Sequence, residues 1–255
     1  MIDLPSGRYW HGSVTISRNA FIVGGLNNKT IDRYDKLTNT FLTVNTMTNV
    51  RSGFGICTTK GKIIISGGYD GSKRMKSCFL YKPSSNWFKQ IASMNVERRG
   101  HALVNMNDKF FFSIGGWNSQ NDYLNIIEQY EPETDVWTIF NQKLNIARGY
   151  HQTVAYKQWI YVIGGITRNN NLLDSIEKIN IITGTTSLLK TKLKVARTNF
   201  ALAKINDNVY IIGGNTSLLI TDPTDTVEIF NMEDETLTDG INIPIKDYGF
   251  TACVL

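Results

Sequence analysis

The sequence predicts an all-β fold, a β-propeller of five full four-stranded blades with one extra innermost strand at the C-terminus. Three observations carry this expectation. A run of β-branched and aromatic residues ending in two glycines occurs five times, at Gly24-Gly25, Gly67-Gly68, Gly115-Gly116, Gly164-Gly165 and Gly213-Gly214, with spacings of 43, 48, 49 and 49. An arginine stands 16 residues before each first glycine, at Arg8, Arg51, Arg99, Arg148 and Arg197. After each pair a polar loop leads to a short segment with a large side chain, Tyr34, Tyr81, Tyr130, Ile179 or Phe230. Short, evenly spaced β segments at a period of about 45 residues mark a radial repeat.

The units span approximately residues 6–48, 49–95, 96–145, 146–194 and 195–243, a partial sixth covers 244–255, and together they form a single domain over residues 1–255. Within a unit, strand A reads "GYHQTVAY", strand B "WIYVIGG", strand C "NIIEQY" and strand D "VWTIF". These runs are short, β-branched or aromatic, and bounded by turn formers such as "EPETD", which excludes helical and Rossmann readings. The glycine pair closes a strand but opens no helix, so it is not a phosphate loop. Six or seven residues after the strand C side chain comes a second large one in most units, Phe41, Trp87, Trp137 and Leu237, with Thr186 in the fourth. In the third unit Arg98 fits the pattern better than Arg99 if the second strand holds one extra residue. The C-terminal "IPIKDYGFTACVL" resembles another strand A, with Asp247 in the arginine position and Phe250 matching Phe54 and Phe200.

Arginine, strand, Gly-Gly, acidic-x-Tyr and then Trp resemble the kelch repeat, and the third unit, "RRGHALV…FFFSIGGWN…IIEQYEPETDVW", is the fullest copy. The resemblance runs from about Arg8 to Leu255 and implies a kelch-type propeller. In that family the glycine pair ends strand B where the chain leaves a crowded inner sheet, and glycine tolerates positive φ and close approach. The resemblance also implies a protein-interaction module. In many relatives a BTB domain precedes the propeller and docks a cullin ubiquitin ligase while the propeller captures the substrate; others bind actin or act as scaffolds. No BTB-like helical segment stands in these 255 residues.

Composition narrows the function classes. A net charge of +5 from 27 basic and 22 acidic residues is too diffuse to argue for nucleic acid. No apolar run approaches the length of a membrane span, and "MIDLPSGRYW" lacks a signal-peptide pattern. Cys57, Cys78 and Cys253 form no metal spacing, and three is an odd number for a disulfide framework. Reduced thiols and a cytoplasmic location are expected.

Antiparallel counting puts the B–C loops and the D–A connectors, with their arginines, on one rim, and the short A–B and C–D turns on the other. The loops "YDGSKRMK", "WNSQNDYL", "ITRNNNLL" and "NTSLLITDPTD" are long and varied, as recognition loops on a rigid scaffold usually are. The candidate partner-binding residues are therefore Arg8, Arg51, Arg98, Arg148, Arg197, Tyr69, Arg74, Trp117, Tyr123 and Arg168. Arginine and aromatic side chains dominate hot spots, and arginine grips carboxylates in two-point geometry. The expected partner presents an acidic peptide or loop. For the five aligned arginines a second role is equally open: tying neighbouring loops through backbone carbonyls.

Chemistry is weighed against this. His11, His101 and His151 each follow an arginine by three residues and could converge near the axis on Zn²⁺, but Phe54 and Phe200 hold the same position, which favours filler. Asp32, Glu128, Glu177 and Glu228 recur by repeat, which favours a repeated bond over a single catalytic pair. No nucleophile elbow or phosphate cradle is present. No cofactor and no enzymatic activity are expected; the alternative is a sugar-binding or sugar-converting propeller, as some kelch-like propellers are.

Overall fold

A computed structural model describes residues 4–217 and 222–255; residues 1–3 and residues 218–221 of the fifth B–C loop lie outside the described residues. Among the described residues twenty strands form five four-stranded antiparallel sheets, each a meander in chain order. Blade 1 holds β1 (Gly12–Ile16), β2 (Asn19–Val23), β3 (Thr30–Asp35) and β4 (Thr40–Thr46). Blade 2 holds β5 (Gly55–Thr59), β6 (Lys62–Ser66), β7 (Cys78–Lys82) and β8 (Trp87–Ile91). Blade 3 holds β9 (Ala102–Met106), β10 (Phe110–Ile114), β11 (Ile126–Glu131) and β12 (Val136–Lys143). Blade 4 holds β13 (Gln152–Tyr156), β14 (Trp159–Ile163), β15 (Ser175–Asn180) and β16 (Thr186–Lys192). Blade 5 holds β17 (Ala201–Ile205), β18 (Asn208–Ile212), β19 (Val227–Asn231) and β20 (Thr236–Asp239). Among the described residues the only helical turn is the 3₁₀ segment Pro83–Ser85, and no helix is long and apolar enough to cross a membrane.

The second strand of each blade is largely apolar, and in blades 2 to 4 neighbouring blades cover both of its faces. In β14, Ile160 and Val162 pack against Phe112, Ile114 and Ile127 of blade 3, while Tyr161 and Ile163 pack against Phe200, Val209 and Phe230 of blade 5. The period-2 pleat thus sends alternate side chains into two different inter-blade cores. Outer strands face water on one side, and β12 alternates accordingly.

The glycine pair follows from the same packing. Gly164 has φ +59°, and a Cβ there would stand 2.9 Å from the carbonyl of Arg197 in the next blade. Gly165 has φ +100°, and its Cβ would stand 2.8 Å from the carbonyl of Gly149 in its own blade. One glycine yields space to the next blade and the other to the first strand of its own, in a backbone conformation that side chains disfavour.

Two details differ from the sequence pattern. In the third repeat the extra residue lies in the β9–β10 turn, where Met106 pairs with Phe110; the other first hairpins are one residue tighter, as in Tyr156 opposite Trp159. In blade 2 the partner of Tyr81 is Phe88, while Trp87 pairs with Lys82 and is exposed. The spacing is seven residues there too, matching Tyr34–Phe41 and Tyr130–Trp137.

The five blades surround a hub with six positions. The N–H of Gly53 donates to the Trp10 carbonyl (2.9 Å), Gly100 to Gly53 (2.7 Å), Tyr150 to Gly100 (2.7 Å), Asn199 to Tyr150 (3.2 Å), Gly249 to Asn199 (2.8 Å) and Trp10 to Gly249 (2.9 Å). The ring closes, and all six residues have left-handed φ, from 53° to 68°. The C-terminal segment supplies the sixth member. Asp247 stands in the arginine position as the sequence suggested: its carbonyl accepts from Gly214 just as those of Arg148 and Arg197 accept from Gly116 and Gly165. The segment nevertheless forms no strand, because no second strand lies beside it to complete a ladder. The faces of blades 1 and 5 toward this sector are only partly covered: Tyr34, Phe41, Tyr210 and Ile229 are half-buried, whereas Tyr81 and Tyr130 are buried.

Candidate functional site

The B–C loops and D–A connectors share one rim, held by isolated bridges. Ser52 pairs with Tyr69 and Tyr69 with Arg74; Arg99 pairs with Trp117 and Trp117 with Tyr123; Gly149 pairs with Ile166 and Thr198 with Asn215. The second and third loops are also braced internally. Asp70 Oδ1 accepts from the N–H groups of Ser72 and Lys73, and Asn118 Oδ1 from those of Gln120 and Asp122. Side chains on this rim therefore stand on loops held by internal hydrogen bonds.

The five aligned arginines do not reach the surface of the rim. Arg98, Arg148 and Arg197 are 0% exposed and Arg51 is 3% exposed; the Arg8 side chain is likewise buried. Each inserts beneath the loop and donates to the carbonyl of the first glycine: Arg8 to Gly24 (3.3 Å), Arg98 to Gly115, Arg148 to Gly164 and Arg197 to Gly213 (2.9 Å each), and Arg51 to Gly67. Four of them also meet the strand C acid: Arg8–Asp32 (2.5 Å), Arg98–Glu128 (2.6 Å), Arg148–Glu177 (2.5 Å) and Arg197–Glu228 (2.5 Å). The tying role accounts for this set, because every guanidinium is engaged within its own blade and covered. It also explains the recurring acids, whose carboxylates would otherwise be buried without a counter-charge.

Arg98, not Arg99, is the third member of the set. Its neighbour Arg99 rises between two rings, with Cζ 4.6 Å from the centroid of Trp10 and 5.0 Å from that of Tyr69. Arg74 lies 3.7 Å over Trp117, which stacks on Tyr123 at 6.0 Å and 12° and donates its indole N–H to the Tyr150 hydroxyl (3.0 Å). Trp10 continues the platform, 6.5 Å from Tyr150 and 5.1 Å from Tyr9. Burial pushes the Tyr123 phenol up to about 12. The structure thus gathers Tyr69, Arg74, Trp117 and Tyr123 and adds Trp10, Arg99 and Tyr150. Trp10 and Tyr150 stand in the hub ring, where the repeat alignment marks only backbone positions, and Arg99 is the arginine the alignment weighed against Arg98. Arg168 lies on the same rim, 70% exposed and 2.8 Å from Asp122.

Neither Arg74 nor Arg99 meets a carboxylate among the described residues. A guanidinium over a ring face keeps in-plane N–H groups for polar acceptors, and Arg74 donates one to Asn121 Oδ1 (3.1 Å). The histidines form no comparable centre. Among the described residues no group of three or more His, Cys, Asp or Glu side chains is placed to hold a metal ion. Burial, reinforced by nearby arginine charge, depresses His11 to about 4 and His151 to about 3. Cys57 and Cys78 are buried free thiols, and Cys253 is half-buried.

Known protein families match these repeats. The model of the KLHDC2/KLHL20/DRC7 Kelch-repeats domain matches residues 2–165, and that of the Kelch motif matches residues 196–236. Spermatocyte protein spe-26 of Caenorhabditis elegans is 23% identical over 167 residues, 62% of this chain and 29% of that protein. Kelch repeat and BTB domain-containing protein 1 of camelpox virus is 33% identical over 85 residues, 32% of this chain and 15% of that protein. Kelch-like protein 26 of Danio rerio is 26% identical over 129 residues, 51% of this chain and 21% of that protein. The chain thus spans under a third of the length of these curated relatives. The solved structure of YjhT superposes with a TM-score of 0.86 at 9% identity, covering 98% of this chain and 88% of that one, a likeness of fold alone.

Proposed function

The chain belongs to the kelch-repeat family, and on that premise we propose that its propeller is a protein-interaction module that binds an acidic peptide or loop through the rim of B–C loops. The observation that carries this reading is the aromatic platform of Trp10, Tyr69, Trp117 and Tyr123 with Arg74 and Arg99 seated on it and unpaired with any carboxylate among the described residues. Rigid aromatic area with arginine at its centre is the composition of a binding hot spot. Exposed Lys73 and Lys76 on the same loop extend the positive field, which favours acidic partners and speeds their encounter. Arg168 contributes from the fourth loop, since an exposed ion pair such as Arg168–Asp122 is worth no more than about 1 kcal/mol and yields to a better partner. Within a larger assembly the module would serve as a scaffold or present a captured protein to a ubiquitin ligase or the cytoskeleton, in the cytoplasm.

The test is selection from a displayed library of random dodecapeptides. Enriched sequences should carry Asp or Glu beside an aromatic or apolar residue, and Arg74→Glu with Arg99→Glu should lose them while the melting temperature holds. Enrichment of neutral peptides indifferent to that charge reversal overturns the reading, as does a glycan array in which one sugar class binds through Trp117 and Tyr123.

A further inference from the structure

Blade 2 lacks one member of a set that three other blades complete in the same way. In blade 3, Glu128 accepts from the consecutive N–H groups of Asn95 (2.6 Å) and Val96 (3.1 Å) and from Arg98. In blade 4, Glu177 accepts from Asn145 (2.8 Å), Ile146 (3.1 Å) and Arg148. In blade 5, Glu228 accepts from Lys194 (2.7 Å), Val195 (3.4 Å) and Arg197. The niche has one construction: a buried guanidinium and two successive connector N–H groups converge on one carboxylate.

In blade 2 the acid position is Phe79. Arg51 lies 4.9 Å from the centroid of that ring and donates to the Ser77 carbonyl (3.2 Å), the Ser77 hydroxyl (2.9 Å) and the Gly67 carbonyl, with no carboxylate in contact. The connector N–H groups equivalent to Asn95 and Val96 are those of Thr48 and Asn49, and neither has an acceptor among the described residues. A cavity of about 220 Å³ opens at this place, lined by Thr48, Asn49, Arg51, Ser77, Phe79 and Gln90. That is several times the roughly 30 Å³ a water molecule takes in the liquid. Thr48, Asn49 and Gln90 are exposed, so the cavity has a mouth.

We propose that this niche is a carboxylate-binding site, completed from outside by the group that the other blades supply from their own third strand. Arg51 gives the charge, Thr48 and Asn49 give two directed N–H donors, and the carboxylate forms the multi-point, charge-assisted contact its counterparts form. An isolated buried cation is costly, so an arriving carboxylate gains what the internal ones gain. Burial pushes the Arg51 guanidinium down to about 10, which leaves it charged at neutral pH. The site is separate from the aromatic platform and does not rest on the reading given for that rim. The carboxylate comes from a partner's Glu or Asp side chain or from a small free acid, and the two sources differ only in what surrounds the group.

The experiment is an amide-resonance titration of the whole chain with sodium acetate, with N-acetylglutamate N-methylamide, and with sodium chloride as control. Both carboxylates should displace the Thr48 and Asn49 amides saturably, and chloride should not. The glutamate derivative binding more tightly assigns the niche to a protein side chain, and acetate binding more tightly assigns it to a free acid. Phe79→Glu should supply the carboxylate internally: the two amides shift without ligand, the acetate response disappears and the melting temperature rises. Arg74→Glu with Arg99→Glu should leave the response intact. No saturable displacement by either carboxylate, equal displacement by chloride, or an undiminished response in Phe79→Glu overturns the proposal.

Discussion

Nη2 of Arg148 lies 2.5 Å from Oε1 of Glu177, and both side chains are fully buried. The same guanidinium reaches the Gly164 carbonyl (2.9 Å) and the Ser175 carbonyl (3.3 Å), so one side chain fastens the end of β14 to the start of β15. Removing one partner of such a pair leaves the other charged and uncovered, at a cost of about 3–5 kcal/mol. Arg148→Met should lose that much in urea denaturation, and adding Glu177→Gln should recover part of it. Equal stability of Arg148→Met and the parent would show that the pair holds nothing together.

The hub ring gives a second expectation. Residues 246–255 contribute two of its six hydrogen bonds, through Gly249, and a third through Asp247 to Gly214. At about 1 kcal/mol each, their removal should cost about 3 kcal/mol before any loss of Phe250 packing is counted. Gly249→Ala isolates the backbone contribution: φ is +68° while the nearest atoms to an added Cβ stand at 3.5 Å, so strain alone applies, about 1–2 kcal/mol. Chemical denaturation of both variants checks this; a truncated chain as stable as the parent would mean the ring does not close the fold.

Acid sensitivity should trace to the hub histidines. His151 has an ordinary value of 6.5 in the unfolded chain and about 3 in the folded one, lowered first by burial and then by the Arg148 charge. Stability from this group is complete above pH 6.5 and is lost as the pH falls toward 3, because the unfolded chain takes up the proton first. By about pH 5 the loss is about 2 kcal/mol. His151→Phe, which installs the residue that Phe54 and Phe200 already provide at this position, should flatten the stability–pH curve in that window. An unchanged slope would place the acid sensitivity elsewhere.

Much of the fold was legible because backbone geometry dictates it. The glycine pairs mark where two blades crowd one turn, and the arginines at a fixed distance upstream mark what fastens that turn, so period and blade count could be read from them. That the arginines could tie loops through backbone carbonyls was legible as one of two roles, but which partners they take was not: the Arg148 guanidinium meets a glycine 16 residues on and a glutamate 29 residues on, and only the meander brings those together. Trp87 was picked for size, yet register gives its place to Phe88. The absent acid at Phe79 stood in plain view as a skipped repeat, but without the connector N–H groups in space nothing marked it as a vacated niche. Trp10 and Tyr150 escaped the site reading because ring membership is a backbone property, and their side chains vary between positions occupied by Gly53, Gly100 and Asn199.

Two adjacent arginines separate structure from recognition in a single experiment. Arg98 is 0% exposed and paired with Glu128 at 2.6 Å, whereas Arg99 is half-exposed between Trp10 and Tyr69. Arg98→Met should lower stability by about 3–5 kcal/mol, since Glu128 keeps its charge in a buried niche. Arg99→Met should cost less than about 1 kcal/mol, the worth of a surface cation–π contact. For binding of an acidic peptide selected on the parent protein the order reverses: Arg99→Met should weaken it about tenfold, the loss of one hot-spot contact of about 1.4 kcal/mol. Arg98→Met, measured well below its melting temperature, should bind as the parent does. Thermal denaturation paired with fluorescence-anisotropy titration reads both axes, and a peptide that binds equally to the parent and to Arg99→Met would remove the platform from the binding face.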